Sequence, residues 1–513
     1  MRTVFAPFLS FVLFSLSPST PSPAPAAPQA PGDPVAAGYH LLWSGDQTAA
    51  IRHFEALARA RPTDAPAQFG LLVAQSEQMD VEPALQPAFE RGIDALIAQI
   101  DARYRRSKQD AEALFYLAQA HLLRAEYRFD HDKGMWGAAR DGAKAKGYVD
   151  TYLTQHPEHG DAYLVVGAYN YYVDLAPTFF KTLRFLLFLP PGNRVEGLKQ
   201  LERAAAQGSY FGPKAQTILL DVYSAFEGRT ADAVATAERL KKQFPASDPV
   251  DAAIGELYAS EALEDYARAA AAYQAIVDRR SVDGTLSGST ARYRALEGLS
   301  SARLSQWRLE DAIAALAPPI DGGVTNPDWV MPNFLLRRGN YRALLDDPAA
   351  ADDARRVLAD SKMARWHAGA TEQLKWIEQR RASGEGVIYA ALVPGNRLVS
   401  EGRFDDARKA YDAAAGAQPE HALVRFRRAH LDVARGEAER AIPAFTALAA
   451  NKTAPIAIRA ASLLWVARAH DLAGRRDAAR KIYQQVVDDY DKQRAAGAAK
   501  LGLITPYKRP LKT

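Results

Sequence analysis

Histidine and aspartate stand close together twice in the first third of the sequence. Asp130, His131 and Asp132 lie in the run FDHDKGMWG, and His156, His159 and Asp161 follow further on. Imidazole nitrogens and carboxylate oxygens are the ligands of Zn²⁺ and of harder cations. Neighbouring loop residues point apart, however, and both types are common on surfaces, so metal binding is the weaker reading. A second polar set has regular spacing. Asn396, His430 and Arg468 are separated by 34 and then 38 residues, with Tyr389 and Phe426 near the first two. An amide can pin a peptide backbone through donor and acceptor, and a guanidinium can pair with a carboxylate.

Other chemistry lacks its residues. There is no G-x-x-x-x-G-K-[ST] loop, no H-E-x-x-H and no G-x-S-x-G elbow. GTLSGST at 284–290 has glycine and serine at the wrong spacing and reads as an inter-helix loop. The chain contains no cysteine, which excludes disulfides, thiol catalysis, cysteine-based metal sites and lipoprotein-type acylation. These absences favour a non-enzymatic protein with no cofactor. An enzyme or metal protein centred on 129–180 is the alternative.

The spacing of Asn396, His430 and Arg468 requires elements that repeat. EGRFDDARKAYDAAAGAQPEHA, from Glu401 to Ala422, reads as a helix end, a turn and a second helix. Gly402 suits the left-handed turn position. Ala407, Tyr411 and Ala414 fall at i, i+4 and i+7 on one helical stripe, and Pro419 restarts the chain. Gly395 and Leu398 supply small and large partners in the preceding helix. The frame returns as Ala429, Gly436, Ala441 and Phe445, and again as Ala467, Gly474, Ala479 and Tyr483. Near the start, Gly38, Leu41, Gly45, Ala50, Phe54 and Pro62 fit it too. Weaker copies hold Gly228, Ala233 and Pro245, then Tyr266, Ala269 and Tyr273, then Trp307, Ala312 and Leu316.

This pattern resembles the tetratricopeptide repeat, a 34-residue helix–turn–helix unit. The resemblance implies an all-α, right-handed superhelical solenoid in which the first helix of each repeat lines a concave groove. Tyr389, Asn396, Phe426, His430 and Arg468 would then face a partner, and Asn396, His430 and Arg468 would share one slot. Leu392, Val399, Val433 and Leu464 accompany them, so the groove suits an apolar or an acidic peptide. Groove residues are expected to pack lightly.

Residues 1–16, MRTVFAPFLSFVLFSL, have a positive start and a short apolar core, followed by small residues. This resembles a secretory signal peptide, with 28–34 a Pro/Ala-rich disordered linker. Export to a periplasm or cell envelope is expected, with no transmembrane helix in the mature chain. Helical repeats should fill 35–160. Residues 161–212 break the rhythm with aromatic and apolar runs. The stretch 178–189 is too short to span a bilayer, and burial is favoured for it over membrane contact. Residues 163–226 resemble the family of tetratricopeptide repeat protein 39 and the inclusion-body clearance proteins, which implies a superhelical adaptor. Degenerate repeats should occupy 213–386, a tetratricopeptide array 387–494, and a basic tail 495–513.

The formal charge is +4, but it is unevenly spread. Residues 388–513 hold 22 Lys and Arg against 13 Asp and Glu, which is +9, and leave −5 on the rest. A solvated helical face is the simpler account of the excess, and no nucleic-acid partner is expected. The preferred function is a protein–protein interaction scaffold or adaptor of the cell envelope that holds a partner peptide or helix. A peripheral membrane-associated structural protein is a further alternative.

Overall fold

The computed structural model describes residues 32–79, 81–131, 133–175, 190–280, 286–416 and 418–508. The expected signal segment 1–27, the apolar stretch 178–189 and Asp132 lie outside the described residues. Among those described there are helices and no strands, as the 3.6-residue periodicity requires. None of these helices is long and apolar enough to cross a membrane.

The strongest sequence frames are helical hairpins. Pro34–Trp43 pairs with Gln47–Ala60, Glu385–Ser400 with Phe404–Ala415, Ala422–Arg435 with Ala438–Ala450, and Ile456–Leu472 with Arg476–Asp489. Gly45, Gly402, Gly436 and Gly474 take positive φ of 90°, 77°, 107° and 74° in the turns between them. A Cβ is costly in that conformation, which is why glycine marks each turn. Asp46 caps its helix by accepting a 3.0 Å hydrogen bond from the Ala49 amide.

Close approach of the paired helices explains the alternation of small and aromatic residues. A Cβ on Gly395 would lie 2.4 Å from the Tyr411 ring, and one on Gly502 would lie 2.5 Å from the Tyr483 ring. The aromatic fills the space that the missing side chain leaves. Ala407, Tyr411, Ala441, Phe445, Ala479 and Tyr483 are accordingly buried. The weaker frames pack the same way: Ala233, Ala269, Ala312 and Leu316 are fully buried on the second helices of their pairs.

The described chain forms two compact units. One comprises 32–224 and 229–253, and the other 225–228 and 254–508. In the first, the irregular aromatic segment forms helix Ala162–Leu175, packed on helix Arg194–Gln207. Gly167 and Gly197 are at that contact, where an added Cβ would meet the facing backbone at 2.8 and 2.4 Å. In the second unit, successive first helices touch one another, Glu385–Ser400 with Ala422–Arg435 and the latter with Ile456–Leu472. They carry the polar residues singled out in the sequence.

Candidate functional site

The His/Asp set of the first unit does not assemble. Among the described residues no three His, Asp or Glu side chains group as a metal site. Asp161 is buried and accepts from the amides of Ser209, Tyr210 and Phe211 at 2.8–3.2 Å, tying the loop before Gly212 to its own helix. His159 accepts or donates at 2.7 Å to the Tyr152 hydroxyl, and His131 packs on Tyr127. A separate cluster is better formed. Asp141 meets His121 at 2.8 Å and accepts from Arg124 at 2.7 and 3.0 Å. Burial opposes its charge, yet the hydrogen bonds from His121 and Arg124 hold the carboxyl at about 2. His121 is pushed below its usual value by burial. The geometry of this cluster is that of a tie between helices Ala111–Asp130 and Met135–Gln155.

The slot residues of the second unit are packed in. Asn396 and Arg468 are 4% and 7% exposed, and Phe426 is buried as well. The expectation of light packing therefore does not hold: Asn396 is held within its own hairpin, and a turn from earlier in the same unit lies against Arg468. Asn396 Oδ1 already accepts from the Tyr411 hydroxyl at 2.7 Å. Arg468 Nη2 lies 3.4 Å from Glu264 Oε1. His430 stacks on Phe426 and meets Trp465 edge-on, 4.6 Å between centroids. Burial, with Arg427 and Arg468 alongside, pushes His430 down to about 3, so it is neutral at physiological pH. A neutral histidine between two arginines adds no charge of its own to the slot.

What joins these residues is an alternation of guanidinium and aromatic ring. Arg380 lies 4.7 Å from the Trp376 ring centre and 4.0 Å from that of Tyr389. Arg427 lies 4.6 Å over Trp307 and 5.7 Å from Phe426. Arg468 lies 4.9 Å over Trp465 and 4.4 Å over Tyr507. Planar guanidinium groups stack on ring faces while their edges keep donors for other partners. The three arginines differ in what those edges meet. Arg468 has Glu264. All three guanidinium nitrogens of Arg380, and Nε of Arg427, are buried with no hydrogen-bond partner. Burial pushes both below the ordinary arginine value. For Arg427, the groups that offset it are the Tyr411 and Tyr389 hydroxyls rather than carboxylates.

Of the five residues expected from sequence, Tyr389, Phe426 and Arg468 are in the ladder, His430 stacks beside it, and Asn396 is turned to Tyr411 of its own hairpin. Tyr389 and Phe426 act in the ladder as ring faces, and Arg468 as a cation. Trp307 was legible only as a weak repeat position, and Arg380 and Arg427 escaped sequence reasoning because arginine on an amphipathic helix looks like its solvated face.

Two family models, each described as the tetratricopeptide repeat, match residues 394–455 and 461–492. These hairpins are tetratricopeptide repeats. The matched span begins within helix Glu385–Ser400 and carries Asn396, Phe426, Arg427, His430, Trp465 and Arg468. Two solved structures align with most of the chain at low identity and low TM-score. The tetratricopeptide repeat domain of P58(IPK) is 12% identical, with 92% of this chain and 95% of that one covered, at a TM-score of 0.20. Yeast Tom70 is 11% identical, with 90% and 91% covered, at 0.30. No curated protein matches in sequence. The tetratricopeptide assignment rests on the matched repeats and on the hairpin geometry described above.

Proposed function

We propose that this protein is a non-enzymatic interaction scaffold, exported to a periplasm or cell envelope, whose arginine–aromatic ladder holds an extended acidic segment of a partner protein. One observation carries the reading: Arg380 and the Nε of Arg427 are buried donors with nothing to bond. A buried cation without a partner is costly, and a carboxylate brought against it recovers that cost through charge-assisted hydrogen bonds. The rings beside each guanidinium fix its plane and leave its edge for a ligand. The excess of +9 over 388–513 would draw an acidic segment towards this half of the chain. The signal-like residues 1–16 support export.

The test is titration calorimetry of the full chain with a polyglutamate peptide, against a polyglutamine control. Arg427→Gln should weaken polyglutamate binding about tenfold, a loss of about 1.4 kcal/mol. Equal affinity of Arg427→Gln and wild type would sink the ladder as the binding surface.

A further inference from the structure

Three non-glycine residues among those described have positive φ: Glu264 at 49°, Trp307 at 58° and Asp346 at 55°. Glu264 and Trp307 stand two residues before the second helices Tyr266–Arg279 and Leu309–Asp321. That is the position glycine holds before Gln47, Phe404, Ala438 and Arg476. Asp346 sits in the corresponding turn after helix Val330–Leu344. In each case the side chain that replaces glycine lies at one arginine of the ladder. Glu264 pairs with Arg468, Trp307 lies under Arg427, and Asp346 lines one cavity with Arg380.

The order is also regular. The latest turn meets the earliest arginine, 346 with 380. The middle turn meets the middle one, 307 with 427. The earliest meets the last, 264 with 468. Other contacts in the unit follow the same fold-back. The Ser400 hydroxyl donates to the Gln306 carbonyl at 3.0 Å, and Gly228 adjoins Thr505. The turns at Trp307 and Glu264 therefore lie against the late first helices Ala422–Arg435 and Ile456–Leu472, while Asp346 meets Arg380 on the next helix of the chain, His367–Ser383.

We infer that Glu264, Trp307 and Asp346 are an internal occupant of the arginine ladder, which an acidic partner segment must displace to bind. The inference rests on the proposed role of the ladder and adds its regulation. An L-residue in the left-handed region is disfavoured, and three such residues facing the same ladder need a common reason. Contact with the arginines supplies it. The occupancy is also incomplete. The Glu264 pair is long at 3.4 Å, Trp307 has no charge to offer, and Asp346 shares a cavity with Arg380 without a hydrogen bond to it. A ligand that satisfied all three guanidinium groups would make bonds that the turns do not.

The experiment compares wild type with Glu264→Gly/Trp307→Gly/Asp346→Gly, which installs the residue the regular repeats use and relieves the left-handed backbone as it removes the side chains. Full-length proteins are titrated with polyglutamate, and the pair Glu264→Gln/Asp346→Asn provides a milder variant. The expected result is at least tenfold tighter binding by the triple variant and a smaller gain by the pair. Gain in neither, with Arg427→Gln still weakening binding, would overturn the internal occupant and leave the scaffold standing. No binding by any of the proteins, with all of them folded by circular dichroism, would overturn both. If the triple variant does not fold, the pair decides: unchanged affinity overturns the inference.

Discussion

Arg468 and Arg427 occupy the same ladder but should respond oppositely to substitution. Arg468 is enclosed and faces Glu264, so Arg468→Ala strands a half-buried carboxylate and removes two ring contacts. A loss of about 1–3 kcal/mol in chemical denaturation is expected. Arg427 has no carboxylate to strand. Arg427→Met keeps the apolar stem and ring contact while removing a poorly solvated charge, so its stability should be within about 1 kcal/mol of wild type or above it. Destabilisation of Arg427→Met by more than that would mean that its stacking on Trp307 outweighs its desolvation. His430 gives the ladder a pH signature. Burial and the flanking Arg427 and Arg468 lower its value to about 3 in the folded chain, below the ordinary 6.5. The unfolded chain therefore binds the proton first as pH falls. Stability contributed by neutral His430 is fully present above about 6.5 and is lost progressively towards 3. Since carboxylates also titrate in that window, the observable is a difference: His430→Gln should show a shallower fall in melting temperature between pH 6.5 and 4 than wild type. Parallel curves would place His430 in contact with solvent.

At the scale of elements, the hairpins show how far sequence alone reaches. Gly402, Ala407 and Tyr411 were readable because one geometric demand, close helix approach around an aromatic, fixes residue type and spacing together. The same demand predicts substitutions. Gly395→Ala would drive a methyl into the Tyr411 ring and should cost about 1–3 kcal/mol. Gly384→Ala instead meets a positive φ, 71°, with open space around it, so only backbone strain of about 1–2 kcal/mol is expected. Gly395 sits in ordinary helical backbone, so a loss there no larger than that at Gly384 would mean that the Tyr411 ring gives way to the added methyl. The ladder was only partly readable. Regular spacing revealed Asn396, His430 and Arg468, but Asn396 and Arg468 meet internal partners, Tyr411 and Glu264. Periodicity places residues on a helix face and carries no information about what comes back across the chain to cover that face. A subtler signal was present. Glu264 and Trp307 fill the glycine position of two weak frames, and an ordinary side chain in a left-handed slot marks a contact made by that side chain. The weakness of those frames was itself information about the tertiary structure.

At the scale of the whole molecule, export and architecture make separate predictions. Residues 1–35 fused to a reporter active only outside the cytoplasm should yield activity, and an inactive fusion would remove the envelope from the proposal. For the architecture, the decisive variant ends the chain at 455 and so removes the hairpin Ile456–Asp489 and helix Arg494–Ile504. Two properties of the fold then compete. A solenoid holds each repeat through its neighbours, so helical signal should fall only in proportion to the helices deleted. The fold-back adds non-neighbour contacts, and the deletion strips Arg468 from Glu264 and Thr505 from Gly228. The turn at 260–265 would lose its cover, and protease cleavage should appear there while the remaining helices persist. If those contacts contribute about 2 kcal/mol to a unit of this size, its melting temperature should drop by roughly 4–8 °C. Collapse of all helicity would argue against repeat-by-repeat packing. Proportionate helix loss with an unchanged melting temperature and an uncut turn would mean that the early hairpins stand without the late ones. Intermediate behaviour, with helices retained and the turn newly cleaved, is what a tetratricopeptide array closed on its own arginines should show.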